Sequence, residues 1–428
     1  MKTAGIYFLR ALAASLLCLG VACCTPKDVP EDDPPADPPE QPTTPQEPEK
    51  PYTDPSVFES AAEAVVHMGA GWNLGNTLDT NSGDVDNMWI EAGTARTPTD
   101  YETAWGQPVT TRELIHMFEE CGFGAIRVPV TWYPHIGTIT LHDGKKWDVS
   151  TWTGLEVDPA WMARVKEVVD YVIDEGLYCI LNVHHDTGAG STAWLIAGED
   201  EYEAAKTRYA ALWKQIAETF KDYGQRLLFE SYNEMLDPYD SWCFASFSTP
   251  ARYDAGVAAS AYGAIDNYAK LFVDTVRGTG GNNATRNLVV NTYGACSGDG
   301  TWNSHLLEPL TNLSLPEAPG HIAVEIHSYW DAEKFDSQQP EIDRLFANIG
   351  THLQKRLGVP VIIGEWGGNS KEDNTVNARF AKYFSTKAKE NGVAAFWWMG
   401  LSDGPDRAIP KLTFPRAAYA ILDPYQAD

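Results

Sequence analysis

Eight short apolar runs, most of them separated by stretches of helical periodicity, leave this chain very few folds to choose from. The runs are Ala70 to Leu74, Ala125 to Val130, Tyr178 to Val183, Leu227 to Tyr232, Asn287 to Asn291, Ile322 to His327, Val359 to Gly364 and Val393 to Met399. Between them, sets such as Trp161, Val165, Val168, Val172 and Ala205, Tyr209, Leu212, Ile216, Phe220 recur at spacings of three and four, which puts each set on one helix face. Strands alternating with helices imply a parallel sheet. Eight such units within residues 57–428 predict an α/β fold, a (β/α)8 TIM barrel in one domain, with its site at the C-terminal ends of the strands. A doubly wound open sheet is the rival, but no Gly-rich phosphate loop follows the first run.

The chain before residue 57 reads as an address and a tether. Lys2 and Arg10 lead into an apolar run from Ala11 to Ala22, the order of a secretory signal and too short for a bilayer core of about 30 Å. It ends in Leu19-Gly20-Val21-Ala22-Cys23-Cys24, which resembles a lipoprotein signal, so residues 1–23 are expected to be cleaved and Cys23 or Cys24 to carry lipid. Plain secretion with two incidental cysteines is the alternative. Residues 24–56 hold 11 prolines, nine acidic residues and two lysines, a composition for an extended linker that buries no core. The expected location is the cell surface or outer membrane, with a periplasmic or secreted chain as the alternative.

Charge narrows the partners. Lys+Arg 32 against Asp+Glu 59 gives a net charge of -27, which repels phosphate backbones and anionic membrane surfaces. Nucleic acid is therefore not an expected partner, membrane contact is expected only through the lipid, and the chain is expected to be a monomer. Cys121 and Cys179 read as buried free thiols, Cys243 and Cys296 are candidates for a disulfide, and no CxxC metal pattern is present.

Two glutamates stand at the ends of runs that a barrel places across its mouth: Glu234 in Ser231-Tyr232-Asn233-Glu234, and Glu365 in Gly364-Glu365-Trp366-Gly367. Cleaving a glycosidic bond needs one carboxyl group to protonate the leaving oxygen and another to attack or to activate water, and carboxyl groups about 5 Å apart give retention. His184, His185 and Asp186 with Glu325 and His327 can also be read as metal ligands, but their spacing matches no known ligand pattern. Neither a metal nor another cofactor is expected.

Across residues 60–425 the chain resembles glycoside hydrolase family 5, in its bacterial cellulase-like branch. The resemblance is carried in order by Gly71-Trp72-Asn73-Leu74-Gly75-Asn76-Thr77-Leu78-Asp79, Glu102-Thr103-Ala104-Trp105-Gly106, Ile126-Arg127-Val128-Pro129-Val130-Thr131-Trp132, Leu181-Asn182-Val183-His184-His185, Tyr232-Asn233-Glu234, His327-Ser328-Tyr329 and Gly364-Glu365-Trp366-Gly367. It implies that Glu234 is the acid/base and Glu365 the nucleophile of a retaining endo-β-1,4-glucanase acting on cellulose-like, mixed-linkage or xyloglucan chains. A β-mannanase of the same family and a catalytically silent glycan-binding lipoprotein are the alternatives.

The same resemblance implies that Asn233 bonds the sugar 2-hydroxyl, that His184 and His327 line the pocket, and that one tryptophan after the last strand lies under the sugar. Arg127 and Tyr329 would keep Glu365 ionised, whether or not Arg127 also neutralises Glu230, and an apolar setting near Tyr232 would keep Glu234 protonated. Neighbours on a strand face opposite ways, so of Trp397 and Trp398 only one faces the sugar; Trp397 is the choice. His185 is ranked below His184. Trp105, Trp132, Trp194, Trp242, Trp302 and Trp330 are expected near the mouth, where together they would make a groove for a polymer; taken singly, each reads equally well as a loop anchor.

Overall fold

The structure is a computed structural model that describes residues 58–80, 97–142, 146–188, 193–241, 253–298, 305–368 and 373–426. The expected signal and linker, with Cys23 and Cys24, and Trp242, Cys243 and Trp302 lie outside the described residues.

The described residues form ten strands: β1 (Ala70–Asn73), β2 (Ala125–Val128), β3 (Ile136–His142), β4 (Lys146–Val157), β5 (Tyr178–Asn182), β6 (Leu227–Glu230), β7 (Leu288–Asn291), β8 (Ile322–Trp330), β9 (Val361–Gly368) and β10 (Val393–Trp397). Eight of them close a parallel barrel in the order β1-β10-β9-β8-β7-β6-β5-β2. The seam pairs Ala70 with Ala395. β3 and β4 form a separate antiparallel hairpin between β2 and the next helix, an element beyond the eight expected units. Its Asp143-Gly144 pair is a hairpin-turn signal in the sequence.

Each barrel strand shows its alternate residues to the lumen and to the helices. Ala125, Ile180, Leu228, Val289, Ala323, Ile362, Ala394 and Phe396 form one buried cluster with Ala61, Ala64, Val65 and Met68 of α1 (Ala61–Met68). This is the lumen, and α1 closes its N-terminal end. Ser60 starts α1 with a capping box, its side chain accepting from the Glu63 backbone N–H while the Glu63 carboxylate accepts from that of Ser60. Gly71 leaves room for Phe396, whose ring would lie 2.3 Å from a Cβ at that position.

Residues of the other parity, among them Trp72, Ile126, Leu181, Phe229, Val290 and Ile363, join the helices in the larger core. Those helices are α2 (Arg112–Cys121), α3 (Pro159–Asp174), α4 (Glu199–Thr219), α5 (Ala255–Gly278), α6 (Phe335–Asn348), α7 (Thr375–Glu390) and α8 (Pro415–Leu422). The alternation lapses after β7, where the described residues before β8 hold the short 3-10 turn Tyr293–Ala295 and the single α-helical turn Glu308–Thr311 but no helix longer than these. Cys121 and Cys179 are free, Cys179 buried and Cys121 half-buried, and Cys296 is disulfide-bonded.

Candidate active site

On six of the eight barrel strands, the same parity places a polar residue two places beyond an apolar lumen residue. Asn73, Arg127, Asn182, Glu230, Asn291 and Glu325 follow Gly71, Ala125, Ile180, Leu228, Val289 and Ala323 in this way, and all six polar residues are fully buried. They form a hydrogen-bonded layer on top of the apolar plug. Arg127 is its centre. Its Nε and Nη2 donate to the two oxygens of Glu230 at 2.7 and 2.8 Å, and its Nη1 donates to Asn73 Oδ1 at 3.0 Å. Asn182 donates to Glu230 at 3.0 Å. A guanidinium held this way has only one orientation, and its spare donors point up toward the mouth.

Those donors reach the two expected site elements. Arg127 Nη1 donates to Glu365 Oε1 at 3.0 Å and Nη2 to Asn233 Oδ1 at 2.7 Å. The Tyr329 hydroxyl donates to the other oxygen of Glu365 at 2.6 Å, while its ring stays half exposed at the mouth. His327 stands between the carboxylates, with Nδ1 2.8 Å from Glu234 Oε1 and 3.7 Å from Glu365 Oε2. Burial works against a charge on this ring, yet Glu365, Glu234 and Glu325 push it up to about 10. An oxygen of Glu234 and one of Glu365 lie within 4.8 Å of each other.

The direction of Glu365 comes from an irregularity in β9. Ile326 pairs with Ile363 but His327 pairs with Glu365, and on the other side Ala395 pairs with Ile363 but Trp397 with Trp366. β9 therefore carries one extra residue, at Gly364. Strict alternation from Ile362 in the lumen would turn Glu365 toward the helices. The bulge reverses the parity, so Glu365 faces the mouth and Trp366 stacks on Phe384 of α7 with centroids 4.4 Å apart.

A family model described as Cellulase (glycosyl hydrolase family 5) matches residues 89–403, more than half of the chain. The chain belongs to glycosyl hydrolase family 5. It is 33% identical over 354 residues to Endoglucanase B of Neocallimastix patriciarum, a match that covers 79% of this chain and 64% of that protein. The chain thus spans less than two thirds of that relative. Among solved structures, a GH5-4 broad specificity endoglucanase from an uncultured bacterium is 46% identical with a TM-score of 0.78, covering 87% of this chain and 97% of its own. A family 5 enzyme from Prevotella bryantii, solved in complex with a xyloglucan tetradecasaccharide, is 39% identical with a TM-score of 0.71, covering 86% of this chain and 99% of its own.

Within this family 5 barrel, the residues singled out from sequence do not all meet at the mouth. Glu234, Glu365, Arg127, Asn233, His327 and Tyr329 are joined by the contacts above. His184 is buried beside them, its Nδ1 3.1 Å from the Asn182 amide and its Nε2 3.8 Å from Glu365 Oε1. Burial, with His185, Arg127 and His327 close by, holds it well below the ordinary histidine range, so it is neutral. His185 points along the rim, 32% exposed, near Trp105 and with Nε2 4.0 Å from Asp79 Oδ2.

Three expectations are corrected. Trp397 faces the helices: it is 3% exposed and packs edge-on against Trp366 at 4.8 Å, because Phe396 takes the lumen side. Trp398 is the residue at the mouth, half-buried and parallel to the His184 ring at 5.7 Å. Tyr232 does not surround Glu234; its ring lies beside Tyr268 of α5 and its hydroxyl donates to Asn291 O at 3.1 Å. Third, of the expected groove tryptophans, Trp132, Trp194 and Trp330 are buried anchors, their indole N–H groups donating to Asn182 O, Asp186 Oδ1 and Ser328 Oγ. Trp105 is half-buried at the rim.

Among the described residues three triads bring metal-ligand atom types within 4.8 Å, one at the surface (His116, Glu119, Glu175) and two at the mouth: Asp79, His184, His185 and Glu234, His327, Glu365. Both mouth triads are already hydrogen-bonded. Asp79 accepts from the Asn76 and Thr77 backbone and His184 from Asn182, while Glu234 and Glu365 accept from His327, Arg127 and Tyr329. Arg127 and a charged His327 also set two cations against any metal in the Glu234 triad. Of the buried layer, Asn73, Asn182, Asn291 and the positioning side of Glu230 and Glu325 were not singled out from sequence. The signal available was the polar residue two places after a lumen residue, strand after strand.

Proposed function

We propose that this chain is a retaining endo-β-1,4-glucanase acting on cellulose-like, mixed-linkage or xyloglucan backbones by double displacement. The carrying observation is the approach of Glu234 and Glu365 to within 4.8 Å across the mouth, a separation that leaves no room for a water between nucleophile and anomeric carbon. In the first step a Glu365 oxygen bonds to C1 while the C1–O bond breaks, and Glu234 gives its proton to the departing sugar oxygen. Arg127 and Tyr329 orient Glu365 and bear on its charge as it becomes an ester. In the second step Glu234 takes a proton from water, the hydroxide bonds to C1, and Glu365 leaves as carboxylate. Two inversions return the β configuration.

Asn233 supports the sugar-binding part of this reading. Arg127 occupies its Oδ1, which turns the amide N–H outward as a donor for the sugar 2-hydroxyl. Trp398 and the exposed Tyr329 ring offer flat apolar faces to pyranose C–H groups at the same place. Xyloglucan belongs in the substrate list because the Prevotella bryantii relative was solved with it. A lipid-anchored surface location, from Cys23 or Cys24, belongs to the same proposal and rests on the sequence of the leader.

The test separates the glutamates. Glu365→Gln should abolish turnover on every substrate, since an amide cannot form the ester. Glu234→Ala should cripple polysaccharide cleavage yet still form the intermediate from an aryl glycoside whose leaving group needs no proton, and added azide should then give a β-glycosyl azide. An α-configured azide, or azide rescue at position 365 with a β product, would overturn the assignment. Reducing-sugar release from β-glucans, xyloglucan and mannan sets the backbone, and mannan alone as substrate would favour the mannanase alternative.

A further inference from the structure

Glu325 is the one member of the buried layer that touches the holders of both glutamates. Its Oε1 lies 3.1 Å from His327 Nε2 and 3.3 Å from Arg127 Nη2. Its Oε2, also buried, has no hydrogen-bond partner among the described residues. The neighbouring strand is shaped around it: a Cβ at Gly364 would lie 1.8 Å from Glu325 Oε1, so the bulge that turns Glu365 to the mouth also makes room for this carboxyl group.

A ring placed between two ionised carboxylates, which only accept, can satisfy both only by donating from both nitrogens. We propose that Glu325 is a positioning residue for the reaction: its carboxylate keeps the His327 ring doubly protonated, so that Nδ1–H stays on Glu234 through the alkaline half of the working range. This rests on the roles given above to Glu234 and Glu365. The groups facing the Glu325–His327 pair are Arg127, Glu230, Glu234, Glu365, Tyr329 and His184. Burial and the Glu230 carboxylate push Glu325 up to about 7, against the pull of Arg127 and His327. Its charge therefore appears in the pH range where an unaided histidine would be losing its proton.

Glu325→Gln is isosteric with the protonated acid, and this makes the test pH-selective. At pH 5 the variant should turn over an aryl β-cellobioside within about twofold of wild type. Above pH 8 it should fall about tenfold behind or more, with the alkaline limb of kcat moved to lower pH, as expected for losing a hydrogen bond to a charged group. An equal loss at all pH values, or superimposable profiles, would overturn the proposal. Nitrogen-15 spectra of the wild-type histidines cover the case in which the variant does not fold: His327 should show two protonated nitrogens at pH 8, and a neutral ring there would equally overturn it. If Glu365→Gln and Glu234→Ala retain activity, the catalytic reading itself fails; if they are dead and the Glu325→Gln profile overlays wild type, this inference alone fails.

Discussion

At the residue scale, function turns on which way single side chains point, and here the sequence was legible only in part. Glu234, Glu365, Arg127 and Tyr329 could be named because each sits in a motif whose neighbours constrain it. Alternation along the strand points to Trp397 and the structure to Trp398, because the outcome depends on whether Phe396 or its neighbour fills the lumen, a matter of packing against Gly71 across the seam. The outcome is checkable. Trp398→Ala should raise KM and lower kcat on soluble β-glucan with little change in melting temperature, since the ring is half-buried at the mouth. Trp397→Ala should cost about 3–5 kcal/mol of stability, the range for removing a large aromatic from a packed core. Calorimetry beside kinetics distinguishes them, and the reverse pattern would return Trp397 to the mouth.

At the element scale, the eight runs and their order were readable because each strand is short, apolar and set off by helical periodicity. The bulge in β9 was not, since an extra residue shows only against the register of β8 and β10. The hairpin β3–β4 is signalled only by the Asp143-Gly144 pair in the sequence, and the lack of a longer helix among the described residues between β7 and β8 has no counterpart in local pattern. The bulge gives a sharp expectation at Gly364. Gly364→Ala puts a methyl group into the Glu325 carboxyl, and the resulting overpacking in a buried polar layer should cost about 1–3 kcal/mol or more. Activity should fall further than stability, because relief of the clash moves Glu365 or Glu325. Equal kcat at unchanged melting temperature would show that the strand yields without consequence.

At the scale of the whole molecule, the barrel is filled from one end and functional at the other. The lumen below the polar layer is apolar and closed by α1, so Glu234 and Glu365 lie at the end opposite α1. No core or sugar-binding signal lies before Phe58, and deletion of residues 1–56 should leave specific activity and melting temperature unchanged; loss of folding would mean that the core begins earlier in the chain. The seam between β1 and β10 has a further consequence for how such a chain is made. Ala70 must find Ala395, and α1, the first of the described helices, packs against β8 and β10, which come more than 250 residues later in the chain. Contacts so distant in sequence form slowly. Until β10 is available the growing polypeptide has neither a closed sheet nor a filled lumen, so the earlier strands must wait, unclosed and with apolar faces uncovered, for the last of the eight to arrive.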